Sequence, residues 1–246
     1  MTNKYWTKQW NFLEGCTPVG REGGCRFCWA ESMAHRFGKY WGIPKVNLDI
    51  LEHGIKNWRN PQIVFICNTS DLFHEAVNME IISKAFEQMW RNSKHTYLIL
   101  TKRPDKLVEF LSYYFAPDIT PIIRSNCWLG ATVENQLQAD IRIPKLLSCG
   151  KKWNYWLSIE PMLSEINLRP EWLKQIKSVV IGMENAGKNH VLSQIFTLMM
   201  YAGNFIIGVF HFLLNRDMKI GQTSYKSMSI KEICLKGNNI LFQTLS

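Results

Sequence analysis

Nowhere do the basic residues of this chain gather into a long run; the densest groups are the pairs Lys102-Arg103 and Lys151-Lys152. That excludes a polybasic tail as the means of holding an anionic partner. Acidic residues are scarce, 20 against 29 Lys and Arg, for a formal charge of +9. The excess favours nucleic acid as a partner, with a generally basic, solvated surface as the alternative. The first fifteen residues lack a long apolar core, so no secretory signal is expected. Uninterrupted apolar length is also missing: the richest stretch, Ile195 to Leu214, is broken by Gly203, Asn204, Gly208 and His211. It reads as helix, turn and buried strand, so no membrane partner is expected. The seven cysteines are odd in number and crowd towards one end, which excludes a secreted disulfide framework and leads us to expect a cytoplasmic protein. A hydrophobic fraction of 46% within 246 residues is ample for one packed domain, and a charged fraction of 20% argues against disorder.

From residue 60 onward a unit recurs: a short apolar run, a polar cluster, then a helical stretch. The runs are Ile63–Cys67, Tyr97–Leu100, Cys127–Leu129, Tyr155–Leu157, Val179–Ile181 and Phe205–Phe210. Helical candidates lie at Met79–Arg91, Pro104–Tyr114, Leu137–Leu147, Glu171–Lys177 and Val191–Tyr201. Continuous apolar runs of this length suit strands buried on both faces of a parallel sheet. With a first strand near Trp10–Leu13, about seven strands predict an α/β fold, a partial or irregular parallel β/α barrel. An open doubly wound sheet is the alternative. Either arrangement gathers its functional residues at the C-terminal ends of the strands, where the polar clusters fall. Each cluster also has an ordinary explanation: Asp71 suits a helix N-cap, Pro104 a first helical turn and Glu160 before Pro161 a strand end.

The sharpest local pattern is GCTPVGREGGCRFCWAE, in which Cys16 precedes Cys25 by eight residues and Cys28 follows by two more. A two-residue spacing brings a pair of thiolates to one side of a turn, and Gly20, Gly23 and Gly24 let the loop fold back so that Cys16 can join them. No fourth cysteine lies nearby. Structural zinc normally takes four protein ligands, whereas three leave a coordination position open. A 4Fe-4S cluster with one iron open to a small molecule satisfies the count. Zinc completed by His35 or a more distant residue, and plain buried thiols, are the competing readings. Cys67, Cys127, Cys149 and Cys234 read as small buried hydrophobes.

The segments WNFLEGC, GGCRFCWAE, NTSDLFHE, LTKRPDKL, WLGATVENQ, ADIRIPKLL, LSIEPML and VVIGMEN follow one another over about residues 5 to 187. In that order they resemble a phage-associated three-cysteine-motif family that looks like radical S-adenosylmethionine enzymes. In those enzymes three cysteines hold the cluster, usually with a first spacing of three residues rather than the eight found here, and an aromatic commonly occupies the place of Phe27. The chain departs from the family's glycine-rich segment at Ile181–Gly187 and from its Lys-Gln-Trp-like ending around Phe205–Asn215. Residues 1–215 are therefore expected to form the barrel domain and 216–246 a divergent tail.

The resemblance implies that the open iron binds S-adenosylmethionine, that reduction generates a 5′-deoxyadenosyl radical, and that a flavodoxin or ferredoxin supplies the electron. It implies Asp71, Lys102 and Glu160 as catalytic candidates. It implies Phe27, Asn68, Ser70, Glu134, Asn135 and Glu184 as cofactor contacts, and a nucleic acid or a phage-encoded protein as partner. The contrasting reading is a metal-stabilised nucleic-acid-binding module without catalysis, which the strand-end carboxylates Asp71, Glu134, Glu160 and Glu184 fit poorly.

Overall fold

A computed structural model describes residues 5–20, 24–113, 125–182 and 206–209. The expected Val191–Tyr201 helix, Glu184, Cys234 and the tail from 216 lie outside the described residues. Within them the chain forms a parallel α/β sheet. Strands β1 (Lys8–Trp10), β4 (Ile63–Ile66), β5 (Thr96–Thr101), β6 (Cys127–Thr132), β7 (Asn154–Ile159), β8 (Ile176–Ile181) and β9 (Ile206–Val209) neighbour one another in that order, all parallel. The order follows the chain without the reversal that defines a doubly wound sheet. A separate antiparallel ribbon pairs β2 (Leu13–Glu14) with β3 (Lys45–Val46).

Two expectations need correcting. The apolar run Trp10–Leu13 is not one strand: Lys8–Trp10 joins the sheet, and Leu13 leaves it for the ribbon. The break is at Asn11, whose side-chain oxygen accepts the Asn68 N–H at 3.1 Å instead of letting the ladder continue. The helix expected over Glu171–Lys177 is one turn only, Pro170–Leu173, because Ile176 already pairs with Tyr155 as strand. Two helices were not foreseen: α1 (Trp29–Arg36) and α2 (Leu48–His53), the latter capped by Asn47 accepting from Ile50 N–H at 3.0 Å.

The remaining helices follow from periodicity and caps. Helix α3 (Met79–Arg91) opens with Asn78 accepting from Ile81 N–H at 2.9 Å and buries Ile81, Ile82, Ala85, Phe86 and Met89, a single apolar stripe. Helix α4 (Pro104–Tyr113) starts on a proline that has no N–H to leave unpaired. Helix α5 (Gln136–Leu147) is capped by Asn135, and the single turn Pro170–Leu173 is α6. These stripes meet the sheet residues Ile66, Ile99, Leu129, Leu157 and Val179 in one large core.

The opposite face of the sheet packs on itself. Phe65 of β4 and Trp156 of β7 have ring centroids 5.9 Å apart. Three strand spacings separate them, about 14 Å on a flat sheet. The sheet must therefore curl strongly around this face. Gly130 makes the room: a Cβ there would lie 2.4 Å from the Trp156 indole. The indole N–H finds carbonyl acceptors at Ile99 (3.3 Å) and Trp128 (3.2 Å), so the ring is fixed as a floor. Above that floor stand the C-terminal ends of the strands.

At the other end of the sheet His95 is 1% exposed and its Nδ1 accepts the Gln62 N–H at 3.1 Å. Burial, then Lys94, hold its pKa below the ordinary 6.5, as burial does for His74. The unfolded chain takes up these protons first as pH falls, so the histidines' contribution is present above 6.5 and lost below it. The urea midpoint should drop between about pH 7 and about pH 5, and His95→Gln should flatten the drop.

Candidate active site

The connection between β1 and β4 carries the cysteine loop, so Cys16, Cys25 and Cys28 enter the fold at the C-terminal side of the first strand. Gly15 lies at φ +92°, and a Cβ there would meet the Gly42 carbonyl at 2.6 Å, so the turn into the loop requires glycine. Ser70, after β4, donates its hydroxyl to the Gly15 carbonyl at 2.5 Å. The candidate cofactor contact Ser70 is thus engaged in tying the two loops together. Strand β4 itself ends abruptly at Cys67, a non-glycine residue at φ +46°.

Asp71, expected as a catalytic candidate, is the hub of this end of the sheet. It is 5% exposed and its carboxylate accepts from Phe73 N–H (2.9 Å), the Thr101 hydroxyl (2.8 Å), Lys102 N–H (3.0 Å) and an Arg103 Nη (3.2 Å). A carboxylate so fully used positions its neighbours. It holds the turn after β5 that aims Lys102 and Arg103. Arg103 spans outward, donating from Nε to both oxygens of Glu75 (2.8 and 2.9 Å) and from Nη2 to the Thr17 carbonyl (2.8 Å).

His74 grips the same loop from a second side. Its Nδ1 accepts the Ala76 N–H at 3.0 Å, which leaves the proton of the neutral ring on Nε2, 2.6 Å from the Thr17 hydroxyl. Lys106 fastens the segment below by donating to the carbonyls of His74 (2.6 Å), Glu75 (3.1 Å) and Val77. The residue after Cys16 is therefore pinned by Arg103 and His74. The signal for this was the segment SDLFHE; nothing in the sequence pointed to Thr17.

Lys102 links the loop to the buried interior. Its Nζ donates to Cys25 Sγ at 3.7 Å and lies 2.5 Å from Glu134 Oε1. Glu134 is fully buried, and its other oxygen accepts from Arg142 Nη1 at 2.8 Å. The same Nη1 donates to the Thr132 carbonyl at 2.7 Å. This chain of charges aims the ammonium at the cysteine. Arg142 was missed from the sequence because it sits mid-helix in α5, where an arginine looks like solvated surface. Glu160 accepts from the Ser158 hydroxyl at 3.1 Å and from Tyr5 OH at 3.4 Å; burial first, and Glu160 second, push the Tyr5 pKa far up, so the phenol stays a donor. Gly182 leaves the space, since a Cβ there would lie 2.7 Å from Glu160 Oε1.

Of two other candidates, Asn135 caps α5 through Gln138 N–H at 2.9 Å, and Phe27 is 38% exposed with the Arg26 guanidinium 4.9 Å from its ring centroid. Glu184 falls outside the described residues. Asn68 is different: its Oδ1 is buried and has no hydrogen-bond partner among the described residues. An orphaned acceptor of this kind is costly unless a ligand's donor reaches it. An open cleft of about 720 Å³ borders the cluster, lined among others by Val19, Glu75, Lys102, Arg103 and Lys106.

The thiols divide into two kinds. Cys67 and Cys127 are buried in the core, where burial raises their pKa values, and burial also pushes Cys149 up to about 12. Cys16, Cys25 and Cys28 are free and partly exposed. Burial, then Asp71, push Cys16 up to about 11, against the opposing pull of the Arg103 guanidinium. Among the described residues no three His, Cys, Asp or Glu side chains stand close enough to share a single metal ion. No described helix is long and apolar enough to cross a membrane.

A family model described as a protein of unknown function, DUF5131, matches residues 2–197. No curated protein and no solved structure matches the chain.

Proposed function

The chain belongs to the DUF5131 family, whose function is unknown, and from the chemistry of its cysteine loop we propose that it is an iron–sulfur enzyme of the radical S-adenosylmethionine type. The observation that carries this is the set of three free, partly exposed thiols at the C-terminal mouth of a curled parallel sheet, with a lysine ammonium 3.7 Å from one of them. The curl and the sequential strand order favour a partial β/α barrel. The free thiols favour a reducing, cytoplasmic setting.

In this reading Cys16, Cys25 and Cys28 hold a 4Fe-4S cluster. When bound, the cluster supplies the electron that cleaves S-adenosylmethionine to a 5′-deoxyadenosyl radical. The chain's own residues do the rest. Asn68 Oδ1 accepts a hydrogen bond from the cofactor's ammonium, which removes its isolation. Lys102, aimed by Glu134, stabilises the Cys25 thiolate and offers a cation to a carboxylate at the mouth. Asp71, Arg103 and His74 keep the loop bearing Cys16 from moving. Glu160, which accepts from Tyr5 and Ser158, is the proposed carboxylate contact for a hydroxyl-bearing ligand at the rim. A flavodoxin or ferredoxin is the fitting electron donor, and a phage-encoded protein remains a proposed partner.

Dithionite-reduced protein given S-adenosylmethionine should release 5′-deoxyadenosine and methionine slowly even without a further substrate. A Cys28→Ala protein serves as the blank. Equal amounts from both proteins, with an intact cluster in the first, would remove the radical chemistry. Lys102→Met should lower the rate while iron content stays unchanged, since Lys102 is not itself a ligand.

A further inference from the structure

Helix α1 begins directly after Cys28, yet it buries only Ala30 and Ala34. Its large side chains turn outward. Trp29 is 55% exposed, Met33 43% and Phe37 60%, at the i, i+4, i+8 spacing of one helical face. Phe27, just before the helix, is 38% exposed. A packed fold has no reason to place four large apolar residues together in water, and such a patch marks an interaction surface. The charge around it is one-sided. Across residues 24–45 the cations are Arg26, Arg36, Lys39 and Lys45, against the single carboxylate Glu31, which already lies 3.8 Å from His35. Two of the cations lie over the rings: Arg26 is 4.9 Å from the Phe27 centroid and Arg36 5.7 Å from that of Phe37.

Planar exposed rings interleaved with guanidinium groups form a stacking platform beside a phosphate-binding edge. Unpaired bases stack on such rings whatever their sequence, while the cations follow the backbone. A duplex hides its base faces and has no use for the rings. We propose that the α1 face binds single-stranded nucleic acid and leads it to the neighbouring cysteine mouth. This names the substrate class of the reaction proposed above, and rests on that reading only for what happens after binding.

The test uses the full chain, purified anaerobically, with iron measured on the same sample. A labelled single-stranded oligonucleotide of roughly 12 nucleotides is titrated by fluorescence anisotropy. Binding should weaken linearly with the logarithm of salt concentration. The pair Trp29→Ala, Phe37→Ala should weaken it at least about fivefold without altering the salt slope. The pair Arg36→Gln, Lys39→Gln should lower that slope by about 1.4. All four positions are exposed, so a circular dichroism spectrum suffices to show that the variants fold. Oligonucleotide affinity indifferent to the ring variants, equal preference for duplex, or heparin competing charge for charge would overturn the proposal. If the ring variants lose only binding to an acidic electron-donor protein, the face is a protein dock and the proposal is likewise overturned. Nucleic-acid binding that follows these rules in protein lacking iron would leave it standing while removing the radical reading.

Discussion

Cys25→Ala protein, reconstituted anaerobically with iron and sulfide, should hold less than about one iron per chain where the native protein holds about four. The same loss is expected for Cys16→Ala and Cys28→Ala, because a cluster with two protein ligands is released or degraded rather than partly retained. Cys149→Ala, whose thiol is held protonated by burial, should keep its full iron content. The three ligands differ in how they are supported, and that difference is measurable. Cys16 sits next to Thr17, which is clamped by Arg103 and His74, whereas Cys25 is met by Lys102. Removing Arg103 should therefore slow cluster assembly by loosening the loop, while removing Lys102 should leave assembly intact. Stoichiometric zinc in the native protein would decide for the structural-metal alternative.

Arg142→Ala should destabilise the fold by about 3–5 kcal/mol, the usual cost of stranding one member of a buried ion pair. Glu134 is fully buried, and Arg142 is 3% exposed. Lys102 remains beside Glu134 but is itself partly exposed, so the carboxylate loses the one wholly interior counter-charge that it has among the described residues. The Thr132 carbonyl also loses its donor. A urea titration checks the magnitude through its midpoint. Replacing both partners, Glu134→Leu with Arg142→Met, should recover most of the loss, since two apolar residues of similar volume leave no charge stranded in the interior and the Lys102 ammonium that loses Glu134 is partly exposed. The double variant should nevertheless cleave S-adenosylmethionine poorly, because Lys102 has lost the group that aims it. A variant stable yet inactive would separate the positioning role of the pair from its role in the fold.

The strands were legible because a residue buried on both faces of a parallel sheet leaves a continuous apolar run, as at Ile63–Ile66 and Tyr155–Leu157. The helices α3, α4 and α5 were legible from their stripes and starts. Helix α1 was not, because its buried stripe is two alanines and its outward face is apolar, the reverse of the usual pattern. The break at Asn11 was equally silent, since it depends on a side chain meeting Asn68, far along the sequence. In the site, residue types announced themselves but not their partners. Asp71 and Lys102 stood out as polar residues after apolar runs. That Asp71 is consumed by five donor contacts, whereas Asn68 keeps a buried oxygen with none among the described residues, follows only from three-dimensional arrangement.

If three thiolates hold the proposed cluster, one of its irons is left open to a small molecule. Electron paramagnetic resonance of the dithionite-reduced protein, recorded before and after adding S-adenosylmethionine, tests it most directly. The native protein should give the signal of a reduced 4Fe-4S cluster whose shape changes on addition, and Cys28→Ala protein should give no such signal. A signal that S-adenosylmethionine leaves unaltered, or none from protein that has taken up zinc, would contradict it.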